Sequence, residues 1–238
     1  MAKTSGLGNQ FYYGGYDLSG DIGSLESIAS PRTTYEVTGL DKSAIERIVG
    51  YGDGMISFTS FFNDAAAQEH VALSALATTD KVAIYSVGET LGDTACGLQA
   101  KQINYDPTRA ADGSLTISCE VLGSVGDPIE WGNLLTTGVQ TVSSAANTTS
   151  LDQGASTSNG ARAYIMNFTL SSGSPTVKIQ DSANNSDGAD LITFSTSSAV
   201  SAERKTVTGT VNRYVRLNLS GTFSNLALVV ILVRGTAQ

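Results

Sequence analysis

Alternation of apolar and polar residues with a period of two is the feature that most restricts the fold of this chain. It is clearest in two segments, Met55–Phe62 and Leu115–Val121. In the first of these, Ile56, Phe58 and Phe62 fall on one face. Successive side chains of a β-strand point to opposite faces, so this spacing predicts half-buried antiparallel strands rather than helices.

The stretch Tyr35–Phe62 places one such strand after a turn and a corner. A short alternation runs through Thr-Gly-Leu-Asp into SAIERIVG, and three glycines, Gly50, Gly52 and Gly54, precede the strand. Their spacing is not that of a phosphate loop or a dinucleotide fingerprint, and no Lys-Ser or Lys-Thr follows. We therefore interpret the glycines as relief of backbone crowding at a corner, not as a ligand cradle.

Charge is divided unevenly along the 238 residues. Residues 1–138 carry seven Lys or Arg against 17 Asp or Glu, and residues 139–238 carry seven against five. This asymmetry indicates two domains, 1–138 and 139–238. Because nucleic-acid affinity depends on Lys and Arg side chains that neutralise phosphates, the acidic part is a poor candidate for binding nucleic acid.

Within the first part, residues 1–34 are glycine-rich and weakly periodic, which predicts an extended arm or a short edge strand that orders against something else. Asn63 and Asp64 are candidate N-caps for a helix of about three turns over Asp64–Ala77. The apolar positions of that helix are Val71, Ala72, Ala75 and Leu76. Further strands are predicted at Lys81–Val87, Cys96–Tyr105 and Ser114–Leu122.

The second part opens with a stretch rich in Ser, Thr, Asn and Gly, residues 139–160, which marks the boundary. Six short apolar segments with turn-rich links follow: ARAYIMNFTL, PTVKIQ, LITFST, RKTVTG, RYVRLNLS and NLALVVILVR. Evenly spaced strands without a helical pattern predict a β-sandwich of about 100 residues.

Two cysteines, Cys96 and Cys119, form neither a disulfide framework nor a metal-binding spacing. Cys119 continues a strand alternation and is interpreted as a small buried apolar residue. The N-terminus lacks the apolar region of a secretory signal, and the apolar run Leu226–Val233 is too short to span a bilayer. We expect assembly in a reducing cytoplasm and no membrane association.

No pattern of residues predicts catalysis or a cofactor. His70, the sole histidine, has no neighbouring nucleophile and acid, so a solvated or half-buried helix residue is the favoured interpretation. The acidic residues show no spacing typical of paired catalytic carboxylates. A cell-envelope hydrolase is an alternative that depends only on these acids and on His70.

One loop has the composition of a calcium site. Asp181, Asp187 and Asp190, with Asn184 and Asn185, offer hard oxygen ligands. Their spacing is not that of an EF-hand, and Asn, Asp and Gly are also the residues that tight turns require. A plain turn is favoured over a metal site.

Two further groups have both a binding and a structural interpretation. Arg204, Lys205, Arg213 and Arg216, with Tyr214 among them, form a mild basic group that would suit a glycan or an anion, although strand faces often carry such residues for solubility. The aromatic residues Trp131, Phe11, Tyr12 and Tyr13 suit a binding platform, but core or subunit-interface packing is the commoner use.

The stretch Tyr35–Phe62 resembles the major tail proteins that form the tail tube of long-tailed bacteriophages. The resemblance lies in Thr38–Ala44, Glu46, Ile48 and Gly50, followed by Gly54, Ile56, Ser57, Phe58 and Phe62. The segment Lys101–Gly123 is also similar to tail-associated proteins of actinobacterial phages. Together the similar segments fall within residues 10–135.

The resemblance implies a mainly β protein, with a tail-tube-like sandwich or half-barrel and one flanking helix in residues 1–138. Residues 139–238 fit an immunoglobulin-like or jelly-roll-like sandwich appendage. Such subunits form hexameric rings that stack into a tube, contact terminator, tape-measure and distal tail proteins, and pass double-stranded DNA without specific binding. From the loop's position we predict assembly contacts at Asp41, Lys42, Ser43, Glu46 and Arg47. The alternative is a capsid decoration or distal tail protein whose C-terminal sandwich binds host glycans.

Overall fold

The computed structural model describes residues 5–124, 126, 128–195, 197 and 199–235. Residues 1–4 of the predicted arm and residues 236–238 of the predicted second domain lie outside this description. The chain is mainly β with one short helix, as the alternation predicts. No helix in the described part of the chain is long and apolar enough to cross a membrane.

The first elements in chain order are β1 (Gln10–Tyr13), β2 (Tyr16–Asp17), β3 (Ile22–Ala29), β4 (Arg32–Glu36), β5 (Arg47–Gly52), β6 (Met55–Phe61), α1 (Glu69–Leu73), β7 (Lys81–Ser86), β8 (Thr94–Gln102), β9 (Asp106–Arg109), β10 (Leu115–Gly123) and β11 (Glu130–Leu134). The remaining elements are β12 (Gln140–Val142), β13 (Ala146–Asn147), β14 (Leu151–Asp152), β15 (Ala161–Gly173), β16 (Thr176–Ser182), β17 (Ala189–Thr193), β18 (Ser201–Val207), β19 (Tyr214–Ser220) and β20 (Phe223–Arg234).

The strands form three sheets. The largest follows the order β18-β15-β20-β11-β8-β10-β6-β3, with β7 on β8, β1 on β7, β2 on β1, β9 on β10 and β12 on β20. A second sheet follows the order β13-β19-β16-β17, with β14 on β19. Strands β4 and β5 form a two-stranded sheet of their own.

The alternating strands of the first part enclose one apolar core. Ile56 and Phe58 of β6 are fully buried, as predicted, and pack with residues of β1, β7, β8, β10 and α1. Cys96 and Cys119 are both buried and unbridged in this core. Phe62 differs from its prediction, because β6 ends at Phe61 and Phe62 is 38% exposed, while Ser60 takes the next buried position.

A second core lies between the two sheets of the second part. Residues of β15 and β20 on one side face residues of β16, β17 and β19 on the other, and the layers meet at fully buried side chains such as Val177, Leu217 and Val230. Strands β15 to β20 correspond to the six segments predicted from the sequence. The arrangement is a β-sandwich.

A third core joins the two parts of the chain. It contains Tyr12, Ile84 and Leu134 from the first part, together with Tyr164 and Ile231 from the second. Strand β11 also pairs with β8 on one side and with β20 on the other, so backbone pairing continues across residue 138. The division into domains 1–138 and 139–238 stays a prediction, and the two parts share strand pairing and apolar packing.

The predicted helix over Asp64–Ala77 is wrong in length and in its buried face. It is confined to Glu69–Leu73, whose buried residues are Glu69 and Leu73. Ala67 and Leu76 have positive φ angles of 62° and 43°, which interrupt a helix at both ends. Alanine-rich segments need packing to stay helical, and here only one turn reaches the core.

For residues 1–34 the sequence predicted two alternatives, an extended arm or a short edge strand. Over the described residues, β1 pairs with β7, and β3 pairs with β6 at the end of the large sheet. Phe11 and Tyr13 of β1 are 3% and 2% exposed. The edge strand is therefore the correct alternative for β3, and β1 belongs to the core because its aromatic side chains supply apolar area that an arm would leave in water.

Candidate functional site

The β4–β5 hairpin, residues 32–52, stands out because its strands pair only with each other. Tyr35 lies opposite Ile48, and Glu36 lies opposite Arg47. At its base the Asp53 amide donates to the carbonyl of Pro31 at 2.9 Å. Two-stranded hairpins are marginally stable alone, so this one gains from any surface that covers it.

The hairpin exposes an unusual amount of apolar surface. Seven of the 16 large apolar side chains that are exposed among the described residues belong to it: Tyr35, Val37, Leu40, Ile45, Ile48, Val49 and Tyr51. Since successive side chains alternate, Ile48 lies on one face and Val49 on the other, and they are 54% and 61% exposed. Both faces therefore carry uncovered apolar residues, which is typical of an interaction surface.

The tip of the hairpin holds the five residues predicted for assembly. Asp41, Lys42, Ser43, Glu46 and Arg47 are all exposed and lie in or beside the connection between β4 and β5. Lys42 and Glu46 form an exposed ion pair at 3.3 Å. The Glu46 amide donates to Thr38 Oγ1 at 3.0 Å, which shapes the connection locally. The structure thus brings these residues together at one exposed position, and their role in assembly stays a prediction.

Two of the corner glycines stand where a side chain would collide. A Cβ on Gly50 would lie 2.4 Å from Thr33 Oγ1 and from the Tyr35 ring. A Cβ on Gly54 would lie 2.6 Å from Leu98 Cδ1. The approach at Gly54 agrees with the interpretation that glycine relieves crowding at the corner before β6, whereas the approach at Gly50 is between the two strands of the hairpin.

The carboxylates of the candidate calcium loop have separate protein partners. Asp181 is buried and accepts a hydrogen bond from the Asn212 amide at 2.6 Å. Asp190 is paired with Lys178 at 2.6 Å, which holds the pKa of Asp190 below its ordinary value. Asp187 accepts a hydrogen bond from the adjacent Ser186. Across the described residues, no group of three His, Cys, Asp or Glu is arranged to hold a metal ion.

The basic residues of the second part do not form one patch. Arg204 and Lys205 lie on β18 of the large sheet, whereas Arg216 lies on β19 of the other sheet, next to Arg213. Each has a partner: Glu130 for Arg204, Glu203 for Lys205, Asp152 for Arg213 and Gln180 for Arg216. Arg213 also lies over the Tyr214 ring, 5.0 Å from its centre.

The aromatic candidates divide between core and surface. Phe11, Tyr12 and Tyr13 are buried, which agrees with the packing interpretation. Trp131 on β11 is 49% exposed and meets Tyr85 edge-on, with ring centres 6.4 Å apart. Of these four aromatic residues, Trp131 is therefore the one with an exposed surface.

His70 is half-buried, and its Nδ1 lies 2.6 Å from the Tyr105 hydroxyl. Its neighbour Glu69 was not singled out in the sequence, yet its side chain is fully buried, and neither carboxylate oxygen has a hydrogen-bond partner among the described residues. Burial, together with the nearby charge of Asp21, raises the pKa of Glu69 to about 7. No local signal marks this residue, because its burial depends on where the short helix packs.

An ionic cluster around the buried Glu130 joins the two parts of the chain, and it was not predicted from the sequence. Glu130 of β11 is 6% exposed and pairs with Arg162 at 2.7 Å and with Arg204 at 3.3 Å. The Tyr164 hydroxyl also donates to Glu130, and burial raises the pKa of Tyr164. These four residues are up to 74 positions apart in sequence, so only strand pairing brings them together.

Comparison with known proteins gives structural similarities of low score. No protein-family model matches the sequence, and no curated protein matches it. The Dit protein of phage SPP1, described as a paradigm of the hub adsorption apparatus in phages that infect Gram-positive bacteria, is 10% identical with a TM-score of 0.32, and the alignment covers 96% of this chain and 99% of that one. Two structures of the phage p2 baseplate in its activated conformation, with Sr and with Ca, are 8% and 10% identical with a TM-score of 0.35. Each alignment covers 95% of this chain and 98% of the other. TM-scores this low establish neither a common fold nor a common function.

Proposed function

We propose that this protein is a structural, non-enzymatic subunit of a phage tail that assembles with copies of itself through the β4–β5 hairpin. The observation that carries the proposal is the uncovered apolar surface on both faces of that hairpin. The sequence resemblance to tail tube proteins supports it, because the resemblance lies in the same stretch, Tyr35–Phe62.

The hairpin lies apart from the other sheets of its own chain, which suits a contact with another copy. Its base is fixed by backbone hydrogen bonding at Asp53, and its strands belong to neither of the other sheets. At about 25 cal/mol per Å² of apolar surface, covering seven such side chains in a partner gives a substantial favourable term for association. A hairpin that docks on a different surface of the next copy makes a head-to-tail contact, which closes into a ring or continues as a filament.

In its finer form the proposal is a tail tube. Six copies form a ring, and the rings stack into a conduit that meets terminator, tape-measure and distal tail proteins. The chain is assembled in the host cytoplasm and resides in the tail of the virion. The acidic first part, with 17 Asp or Glu against seven Lys or Arg, suits a lining that repels DNA phosphates and lets DNA pass.

The test is the assembly state of purified full-length protein, followed by light scattering and negative-stain electron microscopy. We expect rings or tubes for the natural chain. Reversing three charges at the hairpin tip (Asp41→Lys, Lys42→Glu and Glu46→Lys) should abolish assembly while the circular dichroism spectrum stays unchanged, since these side chains are exposed.

The matched control reverses an exposed ion pair elsewhere, Asp152→Arg together with Arg213→Asp, which should leave assembly intact. Normal assembly of the tip variant, or a natural chain that stays monomeric and is absent from tails, contradicts the proposal. Labelling of virions separates the finer forms. Label along the whole tail indicates a tube subunit, label at the tail tip a distal tail protein, and label on the head a decoration protein.

A further inference from the structure

The β-sandwich of the second part contains a cavity that the assembly proposal leaves unused. Its volume is about 320 Å³, within the range of about 300–1,000 Å³ that small-molecule sites occupy. Strands β15 and β18 form one wall, through Ile165, Asn167 and Glu203. Ser195 and Ser197, which lie between β17 and β18 in sequence, form part of another wall.

Two of the lining side chains have polar atoms without a partner. Asn167 is 3% exposed and Ser197 is 5% exposed. Asn167 Nδ2 donates to Ser201 Oγ at 3.0 Å, but Asn167 Oδ1 and Ser197 Oγ have no hydrogen-bond partner among the described residues. Buried polar atoms are normally hydrogen-bonded, so two unpaired oxygens on residues that line one cavity indicate a partner that the described residues do not supply.

Glu203 adds a fixed acceptor at the rim. Its carboxylate accepts hydrogen bonds from the Ser195 amide at 2.8 Å and from Ser195 Oγ at 2.9 Å, and it pairs with Lys205 at 2.9 Å. Burial works to raise the pKa of Glu203, but these partners outweigh it and hold the pKa below its ordinary value. The carboxylate is therefore ionised at neutral pH and has lone pairs left for a ligand hydroxyl.

We propose that this cavity binds one neutral sugar residue. Ring hydroxyls donate to Asn167 Oδ1 and to the Glu203 carboxylate, and they exchange hydrogen bonds with Ser197 Oγ. Both oxygens are buried, so this binding mode requires Ser197 and Asn167 to rotate about their side-chain bonds when the ligand enters. Ile165 supplies an apolar contact for the C–H face of the ring.

The charge balance favours a neutral ligand over a cation or an anion. Among the described lining residues, Glu203 carries the single carboxylate, and it is paired with Lys205. A divalent cation needs six to eight oxygen ligands with several carboxylates, whereas an anion would be repelled by Glu203. A polyhydroxylated molecule both donates and accepts, which matches the mixed set of amide, hydroxyl and carboxylate groups.

The test is saturation-transfer difference NMR on the full chain, with glucose, galactose, N-acetylglucosamine, glycerol and calcium chloride as separate probes. We expect at least one of the sugars to bind in the millimolar range. Ser197→Ala removes one ligand hydrogen bond and should weaken binding about five- to tenfold. Without ligand this variant should unfold at an equal or higher temperature, because it removes an unsatisfied buried oxygen.

Ser172→Ala is the matched control, since Ser172 is an exposed residue of the same strand, β15. It should bind the sugar as the natural chain does. Absence of binding by all three sugars overturns the proposal, as does binding of glycerol or calcium alone, or equal binding by Ser197→Ala. The outcome is independent of the assembly test, because the monomeric protein contains the whole cavity.

Discussion

The β4–β5 hairpin and the β15–β20 pair are both antiparallel strand pairs rich in apolar residues, yet they have opposite environments. Val230 of β20 is fully buried under the second sheet, whereas Val49 of β5 is 61% exposed. Backbone pairing is antiparallel in both, and each contains one register shift. The difference shows that a strand can form without being buried, because backbone pairing and coverage by other elements have separate causes. The second sheet covers β15 and β20, and nothing within the described chain covers the hairpin to the same degree.

The largest effect is expected from a charge placed in a covered strand. Phe58→Asp puts a carboxylate at a position with 0% exposure in the core of the first part. The loss of packing together with the burial of a charge should cost more than about 4 kcal/mol and prevent folding. Circular dichroism and the yield of soluble protein measure this. Ile48→Asp on the hairpin is the control, and a folded Phe58→Asp protein would contradict the assignment of the core.

The next largest effect concerns the ionic cluster that joins the two parts. Glu130→Ala removes the buried acceptor shared by Arg162, Arg204 and Tyr164, and should cost about 3 to 5 kcal/mol in urea unfolding. Asp152→Ala breaks the exposed pair with Arg213 and should cost far less, because water and salt screen exposed charges. Equal losses from the two variants would mean that Glu130 is not buried as described.

A smaller and pH-dependent effect is expected at Glu69. Burial raises its pKa from 4.5 to about 7, so the folded state holds this proton more tightly than the unfolded state does. The contribution of Glu69 to stability is therefore fully present below about pH 4.5, and it is lost as the pH rises through about 7. Glu69→Gln should gain about 1 to 3 kcal/mol relative to the natural chain between pH 5 and pH 8. Urea unfolding at the two pH values measures this gain.

Asp152→Asn is the control for that series, because Asp152 is exposed and the Arg213 hydrogen bond lowers its pKa to about 2. The Asp152 variant should show no change relative to the natural chain between pH 5 and pH 8. A parallel pH dependence in the Glu69→Gln protein and the natural chain would contradict the burial of Glu69.

The smallest effect on monomer stability is expected from Val→Thr, which compares the β15–β20 pair with the β4–β5 hairpin directly. Val→Thr keeps the shape and the β-propensity of the side chain but replaces one methyl group with a hydroxyl. At Val230 it should cost about 1 to 3 kcal/mol, because the hydroxyl is buried, whereas at Val49 it should change stability by less than about 0.5 kcal/mol. Val49→Thr should nevertheless weaken self-association in sedimentation experiments. Equal losses of monomer stability would show that the hairpin is already covered.

The sequence by itself determined many of the longer strands. Period-two alternation located β6 and β10, and the buried state of Cys119 followed from its place in the second of these runs. The strands predicted at Lys81–Val87 and Cys96–Tyr105 overlap β7 and β8, and the six segments of the sandwich matched β15 to β20. These predictions succeed because side-chain direction along a strand is a local property. It also located the connection that contains Asp41 and Glu46, since turn residues are local signals as well.

Only the tertiary structure decided which strands are covered and which charged groups meet. The helix is confined to Glu69–Leu73 because a single turn contacts the core. Strand β1 belongs to the large sheet because it pairs with β7. Glu130 and its partners are distant in sequence, and their contact depends on β11 lying between β8 and β20. The hairpin's alternation resembles that of a buried strand, and its exposure became visible only once the rest of the chain had packed without it.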